Sequence, residues 1–90
     1  MPTRLYRFHC TDGYDLVADL RGRRIPTVAL VRLHAERVAL DLMSRAAGTD
    51  WSAWYVEVYD ERGHAVLAKA FAEVRCERRA GAIRGGRPWR

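Results

Sequence analysis

One helix-length segment, bounded at both ends, stands between two pairs of short alternating segments. That arrangement constrains the fold more than any other feature of the chain. Residues 26–48 read PTVALVRLHAERVALDLMSRAAG. Pro26 and Thr27 supply a start, with Thr27 in the N-cap role, and Gly48 supplies a stop just past the last turn. At about 100° per residue, Val28, Val31, Ala35, Val38, Ala39, Leu42 and Ala46 fall on one side. This is a stripe that faces a core. Leu30, Leu33 and Leu40 lie off it, and three leucines together predict a second, smaller buried surface. They are the candidate dimer face.

On either side of the helix the period changes from 3.6 to two. In LYRFHC, Tyr6, Phe8 and Cys10 alternate with Arg7 and His9, as in a half-buried strand. Thr11, Asp12 and Gly13 are turn residues. In YDLVADLRG, Leu16, Ala18 and Leu20 are expected on one face, with Asp15 and Asp19 toward solvent and Gly22 at another turn. Residues 4–25 are thus a hairpin. After the helix, Trp54, Val56 and Val58 alternate with Tyr55, Glu57 and Tyr59. DERG at 60–63 fits a type I turn closed by glycine. The returning strand, HAVLAKAF, is expected to turn Leu67 and Phe71 inward. The order β-β-α-β-β predicts an α+β fold: a four-stranded, mainly antiparallel sheet with one helix packed on one face.

Ninety residues hold one domain, here residues 1–74, with a thin core that association would help. The net charge of +5 is unevenly placed. Ten basic and ten acidic residues cancel within 1–74. Residues 75–90 carry Arg75, Arg78, Arg79, Arg84, Arg87 and Arg90 against Glu77, with Trp89 among them. Glycines separate these arginines, so the segment is expected to be a flexible tail. Its arginines and tryptophan are the candidate contacts to nucleic acid or another anion. No apolar run approaches the roughly 18 residues a membrane span needs, and MPTRLYRF has no apolar signal core. Cys10 and Cys76 are the two cysteines, expected to be reduced thiols in a cytoplasm.

The run YRFHCTDG, the step DLRG, the Pro-opened Ala-rich helix and WYVEVYDERGHAVLAKAF together resemble a family of small bacterial domains of unknown function. Its members carry a Phe-His-x-x-Asp-Gly start behind an aromatic, an Asp-x-x-Gly step and a Glu-Val-x-Asp-x-x-Gly hairpin. The resemblance covers residues 4–74 and leaves the basic tail outside. It implies a compact α+β domain, often a whole protein, and no activity, so no catalytic residue is carried over. Leu30 and Leu33 depart from it, standing where such helices hold alanine and charged residues.

No motif in the chain asks for chemistry. His9 and Cys10 point to opposite faces of a strand and cannot chelate one ion together. Cys10 then packs as a small apolar residue, and Asp12 caps its turn. Asp12, Asp15 and Asp19 do not follow a calcium-loop order. Ser44 and Ser52 are not in a nucleophile elbow. GAIRGG in the tail has neither the strand before it nor the helix after it that a phosphate loop requires. Tyr55 and Tyr59 share a face and are expected to pack across strands, although such a pair can also stack bases.

The expected function is therefore non-enzymatic and without cofactor or metal: an interaction module, homodimeric, that binds itself or another protein. The alternative is a nucleic-acid-associated regulator acting through the arginine tail.

Overall fold

The protein is described by a computed structural model covering residues 2–75. Five strands and a long helix follow in the order β1 (Arg4–Thr11), β2 (Leu16–Val17), β3 (Arg23–Ile25), α1 (Val28–Arg45), β4 (Tyr55–Asp60) and β5 (Ala65–Ala70). Residues 71–75 are again helical. All pairings are antiparallel, with strand order β2-β1-β4-β5 and β3 also beside β1. α1 covers one face of this sheet, the α+β arrangement expected.

The strand count differs from four because the second strand of the first hairpin is broken. β2 pairs with the end of β1 at Cys10 and Thr11, and β3 pairs with its start at Arg4 to Tyr6. Between them the chain loops out. The Asp19 carboxylate takes the place of a strand there, accepting the Phe8 N–H at 3.1 Å. Asp19 is thus half-buried rather than on a solvated strand face, while Leu16, Ala18 and Leu20 are exposed rather than inward. Local side-chain hydrogen bonding has overridden the alternation of the sequence.

The central strands follow their period-two pattern. Tyr6, Phe8 and Cys10 on β1 and Val56 and Val58 on β4 are buried against the helix. α1 meets them with Val31, Ala35, Ala39 and Met43, and both alanines are fully inaccessible. Small side chains at the centre of the contact let the helix axis approach the sheet closely, so Val31 and Met43 can pack on either side. Val38, Leu42 and Ala46 pack at the border of this core. Val28, placed on the stripe by periodicity, is 71% exposed. Leu40, placed off the stripe, instead packs partly against the core.

Both helix ends are held by specific contacts. Thr27 is the N-cap, with extended backbone and its hydroxyl accepting the Leu30 N–H at 3.2 Å. That satisfies one of the orphan donors of the first turn and contributes about 1 kcal/mol. The C-cap is Ala46, so Gly48 stands two residues beyond it and not at C′ as expected, and it is absent from the positive-φ residues. The end is tied down by an aromatic group. Trp51 donates its indole N–H to the Ala46 carbonyl at 3.0 Å. Its ring lies 5.0 Å from Trp54 and 5.6 Å from Phe71 between centroids. Phe71 faces the core as expected, but from the start of the helical segment after β5, where its N–H bonds the Trp54 carbonyl at 2.9 Å.

Candidate functional site

The Asp–Gly steps of the sequence are turns, and their carboxylates are occupied by backbone. Asp12 Oδ1 accepts the Tyr14 and Asp15 N–H groups. Asp60 Oδ1 accepts those of Arg62 and His64. Asp19 Oδ1 accepts those of Arg21 and Gly22 in addition to Phe8 on its other oxygen. Burial alone would raise the Asp19 carboxyl, but these backbone N–H groups and the nearby His9 outweigh it and hold it below its ordinary value. Hydrogen bonds from backbone N–H groups likewise lower Asp12 and Asp60.

His9 belongs to the same structural knot. Its Nδ1 accepts the Asp19 N–H at 3.0 Å. Cys10 is buried on the opposite side of β1, and burial, followed by the Asp19 charge, pushes its thiol up to about 11. Such a thiol is a packing group, not a nucleophile. The opening cluster His9, Cys10 and Asp12 is a strand and its turn. Among the described residues, no three of His, Cys, Asp and Glu converge as a metal ion would require.

The face of the sheet away from α1 carries Arg7 and His9 on β1 and Tyr55, Glu57 and Tyr59 on β4. Here two polar side chains are joined to each other. The Tyr59 hydroxyl donates to Glu57 Oε1 at 3.2 Å, and its ring lies 5.6 Å from that of His9. The cross-strand packing expected for the tyrosines is present at Tyr59, against His9. Both signs of charge line this surface, with Arg7 and Arg62 beside Glu57, Asp60 and Glu61.

A different balance holds between β3 and the first half of α1. There a groove of about 380 Å³ has an apolar floor of Ile25, Pro26, Leu30 and Leu33. Leu30 is 44% and Leu33 60% exposed. Its polar lining is Arg23, Arg24, Arg37 and His34, with no carboxylate among the lining groups. Among the described residues, none of these three arginines has a carboxylate within ion-pair distance. His34 is partly buried, its ring set edge-on against Phe8 at 4.6 Å and 76°. Burial first, then the charges of Arg23 and Arg37, lower its pKa. The first turn of α1 contains no acidic residue to balance its dipole.

Two of the three leucines of the candidate dimer face, Leu30 and Leu33, are therefore brought together in this groove. Leu40 lies further along, where it shares a second hollow with Leu33, Arg37, Glu36, Asp41 and Ser44. Of the tail residues, Arg75 alone is described. Its Nη2 lies 3.2 Å from Met43 Sδ, so it packs back on α1. Arg78, Arg79, Arg84, Arg87, Trp89, Arg90 and Cys76 lie outside the described residues.

The basic groove is what sequence reasoning missed. Cancellation of charge over residues 1–74 hid a polarised segment: residues 21–37 hold Arg21, Arg23, Arg24, Arg32 and Arg37 against Glu36 alone. A running charge count would have found it. Glu36 is itself engaged by Lys69, Oε2 to Nζ at 3.7 Å.

No helix among the described residues is long and apolar enough to cross a membrane. No curated protein and no solved structure matches the chain. A family model described as a domain of unknown function, DUF6894, matches residues 5–72, most of the chain and nearly all of the described residues. The expected likeness to a family of small domains of unknown function is thereby shown: the chain belongs to the DUF6894 family of domains of unknown function.

Proposed function

We propose that this domain is a non-enzymatic interaction module that binds a protein partner over the outward face of β3 and α1. The observation that supports this is the β3–α1 groove, where exposed leucines and arginines without ion-pair partners among the described residues sit side by side. Apolar side chains rimmed by charge are the usual make-up of a protein contact. Charge favours a partner other than a second copy at this face. A two-fold contact about Leu33 would set Arg23, Arg24 and Arg37 of both copies together. The acids that share a hollow with Leu33 and Arg37 are engaged, Glu36 with Lys69 and Asp41 with Arg45. Such a like-charge contact is repulsive.

The test compares the full chain with a Leu30→Asp, Leu33→Asp double variant. Both are immobilised, exposed to extract of the source organism, crosslinked and read by mass spectrometry. A discrete partner held by the wild type and lost by a variant of unchanged circular dichroism is the expected result. Identical sets of proteins on both would overturn the reading. Light scattering on the same samples is expected to show a monomer near 10.3 kDa at micromolar concentration.

A further inference from the structure

The groove between β3 and α1 has a chemistry that names its occupant more closely. We propose that it is a receptor for an acidic, amphipathic peptide segment of the partner protein. This rests on the interaction-module reading above. Carboxylates of the peptide pair with Arg23, Arg24 and Arg37 at the rim, and its leucine-like or aromatic side chains fill the floor of Ile25, Pro26, Leu30 and Leu33. Three features carry the assignment. The guanidinium groups are uncompensated by any carboxylate within ion-pair distance among the described residues. The floor is apolar and open at the surface, with Leu33 more than half exposed. The first turn of α1 beside it lacks the acidic residue that would oppose an anion.

The same features disfavour other anions. A nucleic-acid strand offers phosphates and flat bases but no side chain for an aliphatic floor. The groove is lined by no Phe, Tyr or Trp, and its one ring, His34, is partly buried against Phe8. An inorganic anion would use the arginines and leave the leucines in water. The volume of about 380 Å³ suits several side chains of a bound segment.

The experiment is fluorescence anisotropy with the full chain at low and near-physiological salt. The probe is a labelled peptide in which Glu and Asp alternate with Leu and Phe. Four comparison probes are used: an acidic peptide of equal charge without apolar residues, the same amphipathic peptide with Lys in place of its acids, and single-stranded RNA and single-stranded DNA of matched charge. The amphipathic acidic peptide is expected to bind about tenfold tighter than any of these. Reversal of charge by Arg23→Glu with Arg37→Glu is expected to weaken it about tenfold and to create binding of the Lys peptide. Arg4→Glu with Arg62→Glu, outside the groove, is expected to change neither.

Equal binding of the plain acidic peptide would overturn the proposal, since the floor would then do nothing. Binding that survives the groove reversal would also overturn it, assigning the contact to the C-terminal arginines. Tighter oligonucleotide binding lost by the same reversal would replace the peptide with nucleic acid. A partner captured through Leu30 and Leu33 while every acidic peptide fails would sink this inference alone. Loss of both results would sink the module reading with it.

Discussion

Lys69 on β5 and Glu36 on α1 meet at the border of the core, Nζ to Oε2 at 3.7 Å, with the lysine side chain almost wholly buried. β5 is an edge strand of alanines, and Lys69 shares its inward face with Leu67. A charge pointing inward on an edge strand lets the strand sit against its own helix but penalises burial against a second sheet. Glu36→Ala takes away an acceptor from a buried ammonium and is expected to cost about 1–3 kcal/mol in thermal melts. Lys69→Met is expected to cost less than about 1.5 kcal/mol, yet to aggregate faster on gentle heating. A Met variant as soluble as the wild type would show that the edge is guarded by something else.

Asp19 holds the gap in the broken strand, accepting N–H groups from Phe8, Arg21 and Gly22. Asp19→Ala strands at least the partly buried Phe8 N–H and is expected to cost about 1–3 kcal/mol. The carboxyl lies below its ordinary value of 3.8 in the fold. Its contribution is therefore fully present above 3.8 and is lost as pH falls through the lower folded value. Urea titrations from pH 6 to pH 2 are expected to show the gap between wild type and variant closing below pH 4. A gap independent of pH would mean that shape, not the carboxylate, holds the loop.

The thiol of Cys10 is pushed up to about 11 by burial and by the Asp19 charge. At pH 8 about one thiol in a thousand would be ionised, and even that one is shielded. In a Cys76→Ser variant, an aromatic disulfide reagent is expected to label Cys10 only at the rate at which the domain opens, and at once in denaturant. Stoichiometric labelling within seconds in native buffer would contradict the buried placement.

Helix, sheet and core were legible where side-chain period and burial agree, and illegible where a single polar contact decides. Tyr6, Phe8 and Cys10, and Val56 and Val58, could be read as one face because nothing interrupts the ladder between β1 and β4. Leu16 and Leu20 could not. Their alternation is real, but Asp19 bonds the Phe8 backbone and the chain leaves the sheet. Leu67, Lys69 and Phe71 have the same parity, so the inward lysine was implied by the pattern that placed its neighbours. Its tolerance depended on Glu36, 33 positions away in sequence, which no local window contains. The groove was half-read: Leu30 and Leu33 stood out, but the arginines that give it character come from β3 and α1 together.

Gly22 closes the same loop as Asp19 and has no freedom to change. Its φ is +75°, and a Cβ there would lie 2.9 Å from the Tyr6 carbonyl oxygen. Backbone cannot swing aside as a side chain can, so the clash adds to the strain of the left-handed conformation. Gly22→Ala is expected to cost about 1–3 kcal/mol, which for a domain of this size lowers Tm by roughly 4–20 °C. Gly48 provides the control. It is not in that conformation and has open space around it, so Gly48→Ala is expected within about 0.5 kcal/mol of wild type. Paired melts of the two variants decide the point. If they are equally stable, the β2–β3 loop is not pressed against β1 as described, and the placement of β3 beside α1 on which the groove depends would be wrong as well.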